Sequence, residues 1–315
     1  MPTTLPPSQP SPAQSLSGFL ITLAGAVLFS TKAILVKLAF GHTQVDALTL
    51  LTLRMLFSLP FYLLAAWLGS ARQTASRLSR RQWVQVITLG LFGYYLSSLF
   101  DFLGLQYISA GLERLILFLY PTFAVLINAF VFRQRITPVQ RWALVLTYAG
   151  ILLAYLGELH LDTGTSHFFG GSLLIFACSI TYSIYIAGSG RLIPQVGATQ
   201  FTAYAMLAAS AGVFLHFAIS GKVSSLIGSP AYAWYGLALA ILATVIPSFM
   251  LSAGMKKIGS NNVAIISAIG PVSTIVQANL VLGERIFAAQ ILGTLLVILG
   301  VVLIGWRSGK NLEKN

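Results

Sequence analysis

Apolar runs about one membrane thickness long, separated by short polar breaks, recur along nearly the whole chain. They fall at about 18–40, 46–68, 83–105, 110–132, 139–157, 170–188, 198–220, 232–254, 260–282 and 287–306. A helix needs roughly 20 residues to cross about 30 Å of hydrocarbon, and each run comes near that length. Barrel strands would alternate apolar and polar residues over about ten positions, which these runs do not do. The longest break, 158–169, is too short for a folded domain. The pattern predicts an all-α integral membrane protein of ten transmembrane helices. Residues 1–17 place Pro2, Pro6, Pro7, Pro10 and Pro12 among Ser, Thr and Gln, which predicts a disordered tail.

Composition sharpens this picture. Hydrophobic residues make up 57% of the 315 and charged residues only 8%. A soluble domain carries about 25% charge, so this chain must take lipid as its solvent. A net charge of +12 would suggest nucleic acid if the 19 basic residues formed a folded patch, but most sit in the breaks. With the N-terminus in the cytoplasm, 13 of them are cytoplasmic, Arg77, Arg135 and Lys257 included, against Lys222 and Arg285 opposite. That bias predicts a multi-pass protein of the cell membrane with both termini cytoplasmic, and excludes nucleic acid as a partner. No basic segment precedes the first run, so it should remain as a span and not be a cleaved signal. The single cysteine, Cys178, permits no intrachain disulfide, and the four scattered histidines show no metal-ligand spacing. Neither a metal nor a cofactor is expected.

An internal repeat organises the spans. At an offset of 150, Val131, Arg135, Ile136, Gln140, Leu146, Gly150 and Leu153 meet identical residues at 281, 285, 286, 290, 296, 300 and 303. Ser98, Gly104, Ile108 and Pro121 likewise meet Ser248, Gly254, Ile258 and Pro271. The earlier spans match more weakly, near an offset of 153. Each copy holds five spans, an odd number, so the second must enter the membrane from the opposite side. Inverted repeats of this kind build alternating-access carriers, with substrate near the midplane. The expected organisation is a tail (1–17), a first five-helix repeat (18–157), an external linker (158–169), a second repeat (170–306) and a cytoplasmic tail (307–315).

The run Leu282-Gly283-Glu284-Arg285-Ile286, followed by Gln290, Gly293 and Gly300, resembles EamA-type members of the drug/metabolite transporter superfamily. The first half carries the matching Phe132-Arg133-Gln134-Arg135-Ile136, then Gln140 and Gly150, and the prolines Pro121 and Pro271 stand in mid-span in both halves. Gln134, where the family usually has Glu, and Ala143, where it often has Gly, depart from the pattern. The resemblance implies secondary transport of small organic metabolites, often export, with amino acids among the substrates.

Polar groups inside the spans supply candidates for the site. Lys32 lies well inside span one, and a central lysine costs about 2.5–3.5 kcal/mol, so it needs a partner or a wet cavity. Arg54, Asp101, Glu113 and Arg114 are its ionisable company, all in the first repeat. The positions 150 beyond Asp101 and Glu113 are Leu251 and Val263, so the charge is one-sided. Two readings stand: Lys32 holds substrate, or Asp101 or Glu113 neutralises Lys32 and Arg54 to fix helices one to four together. Arg54 and Arg114, whose stems could snorkel outwards, are assigned to structure or gating, as are Pro121 and Pro271. Tyr95, Tyr120, Tyr182 and Tyr185 join Lys32, Asp101 and Glu113 as candidate substrate contacts. Trp67, Trp83, Trp142, Trp234 and Trp306 near span ends read as interfacial anchors.

The expected function is secondary active transport of a small organic metabolite, with membrane lipid as the other partner and protons as a candidate coupling ion. The alternatives are a non-transporting receptor or scaffold, and an intramembrane enzyme. Against the enzyme, the chain has no HExxH, no GxSxG, and only Asp101 and Glu113 as intramembrane carboxylates; with no Walker motif either, transport is expected to draw on gradients or exchange.

Overall fold

The structure is a computed structural model that describes residues 12–71, 78–120, 122–123, 126–127, 131, 138–159, 167–221, 226, 229–267 and 269–312. Among the described residues there is no strand, and ten helices follow one another. They are α1 (Pro12–His42), α2 (Ala47–Ala71), α3 (Arg80–Gly104), α4 (Ala110–Leu117), α5 (Pro138–Leu159), α6 (Phe168–Val196) and α7 (Ala198–Ser220). Next, α8 runs Pro230–Ala240, through a π-helical segment Ile241–Val245, and on as Ile246–Ser267. The last two are α9 (Ile269–Leu282) and α10 (Ala288–Leu312). Six of the ten have the length and apolarity to cross a membrane: α1, α2, α3, α6, α7 and the Pro230–Gly254 part of α8.

The surface confirms the solvent. Leu173, Leu215, Ile219 and Leu280 are each more than 60% exposed, an outward display that water would penalise and lipid does not. Trp67, Trp142 and Trp234 are likewise exposed. Inside, small hydroxyls sit among aliphatic residues and bond backward along their own helices. Ser30 donates to the carbonyl of Ala26 at 2.9 Å, Ser58 to Arg54 at 2.7 Å and Ser210 to Met206 at 2.9 Å. That satisfies a hydroxyl without a second helix.

Helix pairing follows a regular scheme. α1 packs along α8 and α9, and α6 packs along α3 and α4; α2 pairs with α7, α4 with α9, and α5 with α10. Without water to squeeze them together, membrane helices rely on close backbone approach. α5 and α10 achieve it at Gly150 and Gly293, where a Cβ on either would strike the other's carbonyl.

Two details bear on the sequence reading. α3 contains a π-helical segment at Leu91–Leu96 and α8 one at Ile241–Val245, starting 150 residues apart. Helical hydrogen bonding continues from Ile246 to Ser267, across the break expected near 255–259. Yet Val263 lies 3.4 Å from where a Cβ on Gly254 would stand. Nine residues of straight helix would separate them by about 13 Å, so the chain turns back here all the same.

The expected span at 110–132 differs more. α4 ends at Leu117, and the backbone N–H of Phe118 closes the last turn on the carbonyls of Arg114 and Ile116. Helix resumes at Tyr120, with Thr122, Phe123, Leu126 and Ile127 also helical, so the span is interrupted at 118–119 and does not end there. A proline at 121 has no N–H to give the carbonyl of Leu117, which fits a break at this point. Pro121 itself, most of 121–137, the linker 160–166 and the two tails' extreme ends lie outside the described residues.

The α3–α4 turn is tied down from two sides. Lys37 Nζ donates to the carbonyls of Leu105 (3.3 Å) and Ile108 (3.0 Å). The carboxylate of Glu284 accepts the first two N–H groups of α4, Ala110 at 3.0 Å and Gly111 at 3.3 Å. Gly283 makes this reach possible. Its φ of 68° lies in the left-handed region, which ends α9 and sends Glu284 back towards α4.

Candidate functional site

All five buried charged side chains among the described residues belong to α1–α4: Lys32, Arg54, Asp101, Glu113 and Arg114. Each helix contributes by simple periodicity. Lys32 stands one turn beyond Phe29 on α1. On α3, Ser97, Ser98 and Asp101 share one face at spacings of three and four. On α4, Glu113 lies in the first turn behind the Ser109 cap, which accepts the N–H of Leu112 at 3.0 Å.

Lys32 is the hub. Its Nζ lies 2.9 Å from Asp101 Oδ2 and 3.6 Å from Glu113 Oε1, with both carboxylates fully buried. The Phe29 ring lies 5.8 Å from Lys32 Nζ and 5.7 Å from the Arg114 guanidinium carbon, within cation–π range of both. Arg114 also donates to Ser30 Oγ at 3.4 Å, and the one Ser30 proton is shared between the carbonyls of Ala26 at 2.9 Å and Gly270 at 3.3 Å. The residue before Pro271 thus turns its carbonyl to a buried hydroxyl of α1, and Pro271 is buried at this α1–α4–α9 junction. Arg54 faces the opposite side of the cluster. It donates to Ser98 Oγ at 2.8 Å and lies 5.0 Å over the Phe102 ring.

Not every polar atom is satisfied. Asp101 Oδ1, both Glu113 oxygens and the Nε atoms of Arg54 and Arg114 make no aligned hydrogen bond. Asp101 Oδ2 is in ion-pair contact with Lys32 but off the hydrogen-bonding direction. A buried polar group left so is costly.

Beside these groups is a cavity of about 30 Å³, bordered by Phe29, Lys32, Arg54, Ser98, Asp101 and Tyr182, with Thr244 of α8 opposite. That is room for a water or two and far below the size of an amino acid. The helices are closed around it.

The aromatic candidates divide. Tyr182 and Tyr185 stack at 5.8 Å; Tyr120 meets Tyr182 edge-on at 5.0 Å, and Tyr94 meets Tyr185 edge-on at 5.0 Å with the two hydroxyls 3.3 Å apart. Tyr185 fits because its partner on α3 is Gly93, where any Cβ would collide with its ring. Tyr95 does not join them. Its hydroxyl pairs with His216 Nδ1 of α7 at 3.0 Å, because neighbouring helical residues point about 100° apart and Tyr94 takes the cavity side. Arg54 and Arg114 do not snorkel: they are 3% and 7% exposed. Glu113 and Tyr120, seven residues apart, would share one face of a continuous helix, but the turn after Leu117 breaks that register.

Tyr94, expected with Tyr95 as an aromatic wall, does line the cavity; the sequence reading missed Ser97, Ser98, Thr244 and Phe29 there. A signal existed for some. Ser97 and Ser98 precede Asp101 on its own face, Phe29 precedes Lys32 by one turn, and Thr244 is 150 residues from Tyr94. Among the described residues no group of His, Cys, Asp and Glu is arranged to hold a metal.

A lipid-facing bundle of helices closed around buried ions defines a multi-pass membrane protein of the transporter class. The model of the EamA-like transporter family matches residues 16–156 and again 169–306. The chain belongs to that family. It is 30% identical over 305 residues to the Uncharacterized transporter YcbK of Bacillus subtilis, covering 94% of this chain and 96% of that protein. It is 25% identical to the Uncharacterized transporter YyaM of the same organism, over 71% of this chain and 73% of the relative. A solved crystal structure shares the fold at a TM-score of 0.64 and 21% identity, over 91% of this chain and 96% of the other. The family and these relatives' names point to a transporter, not an enzyme, with a small-molecule substrate.

Proposed function

We propose that this protein is a secondary active transporter that moves small organic metabolites, amino acids or related compounds, across the cell membrane by alternating access, in the direction of export. The observation that carries this reading is the buried Lys32–Asp101–Glu113 cluster beside a cavity whose walls come from both halves of the chain. A purely structural bundle has no use for unsatisfied carboxylates at membrane depth.

The architecture we read is two inverted five-helix repeats. Exchanging each helix for the one five places on turns the α1–α8 pairing into α6–α3 and α1–α9 into α6–α4, and it leaves α2–α7, α4–α9 and α5–α10 unchanged. The π segments at Leu91–Leu96 and Ile241–Val245 fit the same rule. The distribution of basic residues supports cytoplasmic termini, and with that orientation the α3–α4 turn and Glu284 would lie on the outer side. Rocking one half against the other would open the cavity alternately to each side. Lys32, Asp101, Glu113, Tyr120, Tyr182 and Tyr185 form the substrate environment, and protons are the candidate coupling ion.

Purified protein in liposomes tests this. Saturable uptake or efflux over a panel of amino acids, nucleobases and organic acids, with and without a proton gradient, is expected. Chemical conversion of a solute without flux would overturn the reading.

A further inference from the structure

Resting on that carrier reading but narrowing its substrate from amino acids to related carboxylates without the amino group's charge, we infer that Arg54 is the residue that receives the substrate, and that the substrate is an organic monoanion held by its carboxylate between Arg54 and Ser98. The division of labour among the cations is the starting point. Lys32 is already committed, at 2.9 Å from Asp101 and 3.6 Å from Glu113. Arg54 has no carboxylate within 4 Å among the described residues, its Nε makes no hydrogen bond, and its Nη2 is spent on a neutral hydroxyl, Ser98, at 2.8 Å. It is 3% exposed and borders the cavity, whereas Arg114 does not border it.

A guanidinium offers a planar fork of N–H groups that matches a carboxylate with two parallel bonds, which an ammonium cannot do. Ser98 adds a hydroxyl on the same side. Phe29, Tyr94 and Tyr182 supply ring faces for an apolar or aromatic body.

Charge counting selects the ligand. The cluster has three cations, Lys32, Arg54 and Arg114, and two carboxylates, Asp101 and Glu113, a formal surplus of one positive charge. Buried charge without a counterion is expensive. A monoanion removes the surplus, a zwitterion leaves it, and a cation doubles it.

A second feature points the same way. At the far end of the α3–α6 seam lies a larger cleft of about 640 Å³, whose described lining includes Arg81 and Arg191, the amides of Gln82, Gln85 and Gln195, and no carboxylate. Leu89 against Gly188 and Tyr185 against Gly93 stand between it and the inner cavity. A basic mouth of this kind concentrates anions, and the two pairs would form the barrier they pass.

The test uses the full-length purified protein and three probes of similar shape: benzoate, phenylalanine and phenethylamine. Equilibrium binding and thermal stability are measured for the wild type and for Arg54→Gln, Arg54→Lys and Ser98→Ala. Benzoate should bind and raise Tm, with phenylalanine at least about tenfold weaker and phenethylamine without effect, as charge discrimination by an uncompensated buried ion requires. Arg54→Lys keeps the charge but loses the fork, so benzoate affinity should fall about tenfold; Arg54→Gln should lower it about a hundredfold or more. If Arg54→Gln fails to fold, Arg54→Lys and Ser98→Ala decide. Benzoate binding no better than phenethylamine, or unchanged in Arg54→Lys and Ser98→Ala, would overturn the assignment. Saturable flux of neutral or cationic solutes without any anion preference would sink the anion but leave the carrier. Absence of flux for every class of solute would sink the carrier reading itself.

Discussion

α3 and α8 are built alike and do different work. Each carries a π-helical segment at positions 150 residues apart, and each places a serine just beyond it, Ser98 and Ser248. On α3, Ser98 accepts from Arg54, and Asp101 one turn on holds Lys32. On α8, Ser248 meets the hydroxyl of Tyr62 at 2.9 Å, and the residue matching Asp101 is Leu251. The same contrast separates Glu113 from the buried, apolar Val263. The two helices share a plan, yet among the described residues the buried charges lie on α3 and not on α8. On the proposed carrier reading, one half would bind and the other would form the wall it moves against.

Copying α8 into α3 should therefore break the protein most severely. Asp101→Leu leaves Lys32 buried with only Glu113 at 3.6 Å. Breaking a buried pair costs about 3–5 kcal/mol, so thermal unfolding of the purified variant should occur far earlier, with flux lost. Retained stability would mean that Glu113 alone balances Lys32.

The next effect concerns the seam between α3 and α6. Gly93→Val must displace Tyr185, since its Cβ would enter the ring, and overpacking of this kind costs about 1–3 kcal/mol. Restored stability in Gly93→Val combined with Tyr185→Ala would show that this one contact is responsible. A similar shift from Gly170→Val, where nothing lies within 4 Å, would contradict it.

Glu284→Ala removes the acceptor for two N–H groups of α4, a loss of about 1–2 kcal/mol. Glu284→Gln keeps an acceptor and should recover most of it. Equal loss in both would mean that the negative charge, not the hydrogen bonding, fixes the turn.

Smallest is Tyr94→Phe, which removes one hydroxyl contact to Tyr185 at 3.3 Å and should cost about 1 kcal/mol or less in unfolding experiments. A larger loss would give the tyrosine pair a role beyond packing.

The helical class, the six long apolar helices and the charged company of Lys32 were legible in the sequence because lipid imposes one length and one polarity on a span. What was not legible is direction around each helix. Tyr94 and Tyr95 are adjacent and equivalent as letters, yet only Tyr94 faces the cavity, while Tyr95 pairs with His216 of α7. The π segment at Leu91–Leu96 changes the angular count just there, and nothing in the apolar pattern announces it. Lys32 meeting both Asp101 and Glu113 depended on helices two and three places apart in sequence and adjacent in space. Periodicity named the three residues without fixing their distances.

The central claim, that the buried cluster on α1–α4 carries transport and does more than hold the bundle shut, is tested most directly by a double-mutant cycle at Lys32 and Asp101. Lys32→Ala and Asp101→Ala are made singly and together, and unfolding midpoint and flux in liposomes are measured on all four proteins. If the cluster carries transport, the charge-free double variant recovers stability lost in the single variants, while its flux stays at the background of empty liposomes. Flux restored to wild-type level in the double variant would contradict it, because the pair would then be a structural clasp and nothing more.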